Sequence, residues 1–248
     1  MKIKRILVSQ PKPDTDKSPY FDLAEKNNVI VDFRPFIHVE PVSAKEFRQQ
    51  KINLLEHTAV IFTSKTAIDH FFRIAESLRL VIPTTMKYFC ISEAAAHYLQ
   101  KYIVYRKRKI FVSTGKFDDL ADELAKHKGE NFFLPLSDPH KPEIPRKLNK
   151  MKIKYSKAIL YKTVSSDLSD LKDVNYDILV FYSPSGIASL FHNFPDFKQN
   201  NTRIATFGNS TLKAVKDAGL SVDIKAPAPQ APSMTMALEN FIRKENKL

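Results

Sequence analysis

One strand-to-helix junction occurs twice in this chain, as FTSKTAIDHFF at Phe62–Phe72 and as FYSPSGIASLF at Phe181–Phe191. Phe, Ser, Ile and the final Phe coincide without a gap, and a short apolar run precedes each copy. A second strand, a small polar turn and a helix follow each copy, beginning at Lys87 and at Arg203. Generic βα units share composition, but two units that match in order favour duplication. The repeat therefore predicts two similar lobes.

The rest of the chain continues this alternation of short apolar runs with amphipathic stretches of helical length. Continuous apolar strands separated by helices are typical of parallel sheets covered on both faces, so the predicted fold class is α/β. The predicted strands are Ile3–Val8, Val29–Val31, Ala59–Phe62, Tyr88–Ile91, Ile110–Val112, Phe132–Leu134, Ile159–Thr163, Ile178–Phe181, Arg203–Phe207 and Ser221–Ile224. The predicted helices include Thr66–Ser77, Ala94–Lys101, Phe117–Lys126, Ser185–Phe191, Thr211–Ala218 and Met234–Arg243.

The lobes are not simply the two halves of the chain. The second copy, from about residue 176 onward, lacks strands unless the N-terminal region joins it. We therefore expect a discontinuous terminal lobe of residues 1–36 and 168–248, with residues 37–167 inserted as the other lobe. Two extended stretches, Asp32–Pro41 and Ser156–Ser165, flank the insert, and their alternating or β-branched character predicts a two-stranded connection between the lobes.

Composition limits the class of protein. The hydrophobic fraction of 43% is enough for a real core, and no apolar run approaches the roughly 20 residues of a membrane span. The first residues are not expected to be a signal peptide, because their apolar stretch is too short, and a single cysteine, Cys90, fits a reducing cytoplasm. The net charge of +12 indicates either an anionic partner or solvation by lysine. Nucleic-acid binding is not expected, because zinc-finger spacings, aromatic RNA-binding motifs and long basic arms are absent.

The repeated junction has the chemistry of a helix start. Ser183 is expected to be an N-cap and Pro184 to take the first helical position. Thr63 or Ser64 is expected to cap the earlier copy, and in FGNST a turn at Gly208 is followed by two cap candidates, Asn209 and Ser210. Such turns lie at the carboxyl ends of parallel strands, where ligands bind and helix N-termini attract anions. Each junction is therefore either an ordinary cap or an anion contact.

Conventional catalytic signatures are missing. The sequence has no G-x-G-x-x-G after a strand, no Walker loop, no H-E-x-x-H and no G-x-S-x-G elbow. Its seven histidines are scattered without ligand spacing, so we expect neither a metal nor a cofactor. Cys90 lies in an apolar strand and is expected to be a buried small residue rather than a nucleophile.

A family resemblance rests on several stretches taken in order. They are FTSKTAIDHFF, FYSPSGIASLF, the strand AILYKTV between them, and FGNSTLKAVKDAGLSVDIKAPAPQAPSMTMALENFI at Phe207–Ile242. Together they resemble the uroporphyrinogen-III synthase family over nearly the whole chain. The resemblance implies two α/β lobes joined by a two-stranded ladder, with the active site in the cleft between them.

The resemblance also implies a reaction. The substrate would be hydroxymethylbilane, a linear tetrapyrrole with eight carboxylates, which a basic protein rich in helix N-termini suits. Loss of its hydroxyl as water gives an azafulvene, and attack through the substituted position of the last ring gives a spiro intermediate that recloses with that ring inverted. The product is uroporphyrinogen III, formed without cofactor or metal. The implied enzyme is a cytoplasmic monomer that contacts the upstream deaminase transiently and binds neither nucleic acid nor membrane.

Residues carry over from the family by position. The tyrosine of the interlobe strand corresponds to Tyr161, which would donate a proton or a hydrogen bond to the departing hydroxyl. Without the family, Tyr161 would be an ordinary strand tyrosine. The expected carboxylate contacts, with the later junction preferred over the earlier one, are Ser183, Ser185, Gly186, Gly208, Ser210 and Thr211 in the terminal lobe and Thr63, Ser64, Lys65 and Ser92 in the inserted lobe.

The inserted lobe departs from the family pattern at two places. Ala95 stands where many members have threonine, with the acidic Glu93 beside it, and LPLSDPHKPEIPRKL replaces an Arg-Gly pair. Arg146 or Lys141 is a candidate replacement for the missing arginine. These departures motivate a second hypothesis, that the chain is a non-catalytic two-lobed module that binds or senses a tetrapyrrole or another polyanion.

Overall fold

The computed structural model describes residues 2–140, 142–172 and 174–246. They divide into two compact units. The central unit spans Val39–Thr163, and the terminal unit consists of the chain up to His38 and from Val164 onward. Both divisions fall inside a strand, a few residues from the predicted boundaries at 36/37 and 167/168.

Strands and helices alternate along most of the chain. The strands are β1 (Arg5–Val8), β2 (Ile30–Phe33), β3 (Ile37–Pro41), β4 (Ala59–Phe62), β5 (Lys87–Cys90), β6 (Ile110–Val112), β7 (Phe132–Asp138), β8 (Tyr155–Ser165), β9 (Ile178–Phe181), β10 (Arg203–Phe207) and β11 (Ile224–Ala226). The α-helices are α1 (Pro19–Asn27), α2 (Ala44–Gln49), α3 (Lys65–Ser77), α4 (Glu93–Tyr98), α5 (Ala121–Lys126), α6 (Glu143–Lys150), α7 (Pro184–Asn193), α8 (Asn209–Asp217) and α9 (Met234–Asn246).

The terminal unit is a parallel sheet with the strand order β11-β10-β9-β1-β2. The central strand β9 reads ILVF and is buried throughout, because its alternating side chains enter two different cores. Val180 packs with α1 and α9 on one face, while Leu179 and Phe181 pack with α7 and α8 on the other. Each such buried side chain contributes about 2 kcal/mol, so the apolar run is explained by burial on both faces.

The central unit has the strand order β3-β8-β7-β4-β5-β6. Its strands from β4 to β8 are parallel. Val60 and Phe62 of β4 pack with α2, α3 and α4, and Ile61 packs on the opposite face with the segments that contain α5 and α6. The structure thus confirms the predicted α/β class, with parallel sheets flanked by helices.

The chain passes between the units through β3 and β8. The backbone N–H of Ser166 donates to the carbonyl of Phe36, and that of Val42 donates to Leu160. Partner numbers fall as residue numbers rise, so the two strands run antiparallel. These are the two extended stretches that the sequence predicts as a connection.

Several predicted elements have different bounds in the structure, β11 and α5 among them. The sequence predicts a strand at Ser221–Ile224, but β11 begins only at Ile224. The residues before it are held by side chains, since Gln199 accepts the N–H of Ser221 and Asp223 accepts the N–H of Ile204. The predicted helix Phe117–Lys126 begins as a 3₁₀ turn, and α5 starts at Ala121.

Candidate functional site

Four helices begin at the carboxyl ends of parallel strands. In the terminal unit, α7 follows β9 and α8 follows β10, and in the central unit α3 follows β4 and α4 follows β5. Parallel strands bring these helix starts to one edge of each sheet, where backbone N–H groups and the helix dipole favour anions. The four starts differ in how their N–H groups are used.

The start of α7 agrees with its predicted chemistry. Ser183 is the N-cap, its hydroxyl accepts the N–H of Gly186 at 3.3 Å, and Pro184 takes the first helical position. Proline has no N–H, and the N–H of Gly186 is already bonded, so Ser185 carries the remaining donor of this turn. Gly186 is buried, and a β-carbon there would lie 3.3 Å from the Phe181 ring. The glycine therefore allows close packing of α7 on the sheet.

The start of α8 differs from its predicted form. The sequence suggests Asn209 or Ser210 as the cap, and this is wrong: α8 begins at Asn209, and Gly208 is an N-cap without a side chain. Gly208 has φ of 83°, a conformation that glycine adopts without strain, and this turn brings Asn209 directly into the helix. Consequently no side chain among the described residues caps α8. The N–H of Gly208 donates to the carbonyl of Ala226 at 2.7 Å, while the N–H groups of the first helical residues are available to an external acceptor.

Two hydroxyls near the α8 start lack partners. Thr211, in the first turn, and Thr206, on β10, are fully or almost fully buried. Neither hydroxyl has a hydrogen-bond partner within the described part of the chain. A buried hydroxyl without a partner costs roughly 1–3 kcal/mol. An acceptor bound at the start of α8 would offset that cost for Thr211.

The start of α3 is capped by Ser64, which decides between the two predicted candidates. Its hydroxyl accepts the N–H of Ala67 at 3.0 Å, and Thr63 does not cap the helix. Lys65 occupies the first helical position, where it is exposed. Its ammonium group lies 5.4 Å from the centre of the Tyr98 ring. The α3 start therefore carries a cation in its first turn, whereas the α7 start has proline there.

The start of α4 is the weakest of the four for an anion. Ser92 caps it, accepting the N–H of Ala95 at 3.3 Å. The helix has only six residues, and Glu93 places a carboxylate in its first turn, where it occupies the favourable charge position. The methyl side chain of Ala95 has no polar atom, so it offers a ligand no hydrogen bond where a threonine would.

Tyr161 lies on β8 and is 9% exposed. Its hydroxyl is 3.4 Å from the Ser64 hydroxyl, although 97 residues separate the two in sequence. Its ring stacks on the imidazole of His70, with centroids 4.9 Å apart and an interplanar angle of 18°. The structure thus brings together Ser64, Lys65 and Tyr161 near the start of α3.

Sequence reasoning did not single out His70 or Arg73. The Nε of Arg73 donates to Nδ1 of His70 at 3.1 Å, and the same guanidinium donates to the carbonyls of Val42 and Leu160. Burial, followed by the nearby Arg73, holds the pKa of His70 below its usual value. The available signal was the position of His70 inside the repeated phrase, where the other copy has serine.

Two tyrosines of the terminal unit were also missed. The hydroxyls of Tyr20 and Tyr182 lie 2.5 Å apart, and Tyr182 directly precedes the cap Ser183. Burial raises the pKa of both phenols, so both stay protonated at neutral pH. One of the two phenol protons forms the hydrogen bond between the two oxygens. The other phenol proton can therefore be donated to a further acceptor beside the α7 start.

The main basic clusters lie away from these helix starts in the sequence. Arg106, Lys107 and Arg108 are exposed just before β6, and Lys147 pairs with Asp118 and Glu143. Of the two proposed replacements for the missing arginine, Arg146 is exposed on α6, and Lys141 lies outside the described residues.

Metal and membrane features were sought in the same residues. No group of three or more His, Cys, Asp or Glu in the described ranges could hold a metal ion. None of the helices in those ranges is long and apolar enough to cross a bilayer.

Similarity to known proteins was measured for the sequence and for the fold. A family model described as uroporphyrinogen-III synthase HemD matches residues 18–236, which include parts of both units. No curated protein sequence matches the chain. Among solved structures, uroporphyrinogen-III synthetase from Helicobacter pylori matches at 17% identity with a TM-score of 0.63, covering 98% of this chain and 100% of that one. A mutant uroporphyrinogen III synthase from Thermus thermophilus matches at 16% identity with a TM-score of 0.58, covering 99% and 100%.

Proposed function

The chain belongs to the uroporphyrinogen-III synthase family, and we propose that it cyclises hydroxymethylbilane to uroporphyrinogen III with inversion of the terminal ring and loss of water. It is an enzyme of tetrapyrrole biosynthesis, a cyclising lyase. The observation that carries this conclusion is the family match through residues 18–236. The alternative, a non-catalytic module for a tetrapyrrole or another polyanion, has no support from the relatives.

A substrate with eight carboxylates needs donors at several places, and the start of α8 is the best supported of these in the terminal unit. Its N–H groups have no side-chain cap, and the hydroxyl of Thr211 is buried without a partner in the described chain. We assign one substrate carboxylate to the turn that begins at Gly208, with Ser210 and Thr211 as its donors. Ser183, Ser185 and Gly186 form a second contact, in which the N–H of Ser185 is the main donor.

The central unit contributes the start of α3. Lys65 supplies a positive charge, and the helix supplies the N–H groups that Ser64 does not bind. We assign a third carboxylate to this turn, with Thr63 at its edge. Ser92 is the weakest of the proposed contacts, because Glu93 would repel an approaching anion.

Tyr161 is the proposed catalytic residue. Its phenol donates a proton to the departing hydroxyl of the substrate, which leaves as water when the carbon–oxygen bond breaks, and the N–H of the same pyrrole ring returns a proton to the phenolate. The carbon becomes the electron-deficient end of an azafulvene, and the last ring attacks it through its substituted position. The contact between Tyr161 and Ser64 supports this role, because it positions the phenol beside a helix start proposed to hold a carboxylate.

The remaining work of the enzyme is orientation. The free bilane closes spontaneously to the type I isomer, so the protein must hold the conformation that favours spiro attack. Fixed carboxylates are suited to this, because they restrain the chain of rings without taking part in bond formation.

The proposed enzyme is a cytoplasmic monomer that receives its substrate by transient contact with the upstream deaminase. The buried free thiol of Cys90 is compatible with a reducing compartment. Sedimentation equilibrium with and without the deaminase tests the oligomeric state and the contact. A stable dimer of the chain would contradict the proposal.

The activity is tested by converting porphobilinogen with the deaminase, with this protein present or absent, and then separating the oxidised porphyrin isomers. We expect type III product only when the protein is present. Type I product alone would overturn the enzymatic function. Thermal stabilisation by the bilane without turnover would instead indicate a binding module.

A further inference from the structure

His70 lies between Tyr161 and a guanidinium that is itself fixed to the backbone. Arg73 donates to the carbonyl of Val42 at 2.7 Å and to that of Leu160 at 3.2 Å. Leu160 is the residue before Tyr161, and its carbonyl also accepts the N–H of Val42. Arg73 therefore ties α3 to the strand that carries the tyrosine.

The same guanidinium orients the imidazole. Its Nε donates to Nδ1 of His70 at 3.1 Å, so Nδ1 acts as the acceptor and the ring proton of the neutral form lies on Nε2. A protonated His70 would carry a hydrogen on Nδ1 and lose this bond. The lowered pKa of His70, caused by burial and by Arg73, keeps the ring neutral.

The imidazole in turn limits where the phenol can lie. The two rings are stacked at 4.9 Å with an angle of 18°, so one face of Tyr161 is covered. The hydroxyl at the end of the ring reaches Ser64 at 3.4 Å. A rotation about the Cα–Cβ bond of Tyr161 would move that oxygen away from the α3 start.

We propose that His70 is a positioning residue for the reaction, with Arg73 fixing the imidazole and the imidazole fixing the ring of Tyr161. This inference rests on the proposed function, because Tyr161 is the catalytic group of that proposal. It assigns to the helix of the earlier junction a second task besides anion binding.

The kinetic test compares His70→Ala with His70→Phe. Since a misplacement of about 1 Å can cost up to about a hundredfold in rate, we expect His70→Ala to lower kcat about tenfold and to change KM by less than about twofold. His70→Phe keeps a flat ring beside Tyr161 but loses the bond from Arg73, so it should recover only part of kcat. The matched control is His97→Ala. His97 stacks on Tyr105 in the same unit, with ring centroids 6.3 Å apart, and its removal should leave kcat unchanged.

A double-mutant cycle separates positioning from a general structural effect. If His70 acts through the phenol, His70→Ala should cost nothing further in a Tyr161→Phe background. An equal tenfold loss in both backgrounds would overturn the proposal, as would a wild-type kcat in His70→Ala.

A spectroscopic test is independent of activity. In protein labelled with ¹³C at the tyrosine ring, His70→Ala should shift the Tyr161 signal and leave the Tyr155 signal in place. An unmoved Tyr161 signal would overturn the positioning role. If the wild type makes only type I product, the proposed function fails, and this signal still decides whether His70 holds the ring.

Discussion

The two copies of the junction have the same cap and different surroundings. Ser64 and Ser183 each bind the N–H three residues ahead, as a shared sequence pattern requires. The hydroxyl of Ser64 also contacts Tyr161, and the next residue is a lysine. After Ser183 comes a proline without an N–H. Equal local structure therefore does not give equal chemistry, because the neighbours that complete a site come from elsewhere in the chain.

The sequence favours the later copy as the stronger contact, whereas the geometry favours α3 in one unit and α8 in the other. No side chain caps the α8 start in the described residues. More of its N–H groups are therefore free to bind a ligand than at the α7 start, where one is capped and proline has none. Variants that separate capping from catalysis can decide between the two rankings.

The largest effect is expected at Tyr161. Because the phenol is the proposed acid, Tyr161→Phe should lower kcat by about a hundredfold, within the range for general acid catalysis. Thermal unfolding should hardly change, since only a 3.4 Å contact is lost. The matched control is Tyr155→Phe on the same strand, whose phenol donates to the Pro145 carbonyl at 3.3 Å. Unchanged turnover in Tyr161→Phe would remove this residue from the mechanism.

The next effect is expected at the α8 start. Thr211→Val removes a buried hydroxyl without a partner, so it should stabilise the protein by about 1 kcal/mol. It should also raise KM about tenfold, because a hydrogen bond to a charged group is worth roughly 1.5–3 kcal/mol. Urea unfolding and steady-state kinetics measure the two effects.

Thr206→Val is the control for Thr211→Val. Its hydroxyl is also buried and without a partner in the described residues, so the same gain in stability is expected, with no change in KM. A gain in stability at Thr211 without a rise in KM would assign its hydroxyl to structure alone.

The two caps give a smaller and more direct contrast. Ser64→Ala and Ser183→Ala should each cost about 1 kcal/mol of unfolding free energy, because each removes one N-cap bond. Only Ser64→Ala should also lower kcat, by a few fold, since the hydroxyl that contacts Tyr161 is lost. Equal kinetic losses in both variants would show that the two copies contribute alike.

The last prediction concerns the pH dependence of the free energy of unfolding, which we attribute to a buried histidine of the central unit. His57 is 4% exposed, and both its ring nitrogens lack partners within the described chain. Burial lowers its pKa in the folded state, so the unfolded chain binds the proton more readily. The stability contribution is present above the unfolded pKa of about 6.5 and is lost as pH falls below it, by up to about 1.4 kcal/mol per pH unit.

His57→Phe is the test of this pH dependence, because Phe keeps the contact with Phe133 and cannot be protonated. Urea unfolding at pH 7.5 and pH 5.5 should show a smaller difference for His57→Phe than for the wild type. The same pH dependence in both proteins would rule out His57 as its source.

Local features of the fold were predictable because their causes lie within a few residues. Ser183 and Pro184 form the start of α7 as predicted, since the cap hydroxyl and the N–H that donates to it are three positions apart. The apolar run of β9 predicts a strand buried on both faces, which the two cores on either side of it confirm. The predicted cap of α8 was wrong because Gly208 adopts a positive φ. The helix can therefore begin at Asn209, one residue earlier than it would if Asn209 were the cap.

The sequence by itself determined the α/β class, the repeated strand–turn–helix unit and the Ser183 cap, because hydrogen bonds and burial over short stretches decide these. Only the tertiary structure decided that Tyr161 meets Ser64, that His70 covers the tyrosine ring, and that Arg73 holds the imidazole. Those contacts depend on strand order, which places β8 beside β7 and brings residues 97 positions apart within reach. Strand order is fixed by packing over the whole sheet, and no local pattern encodes it.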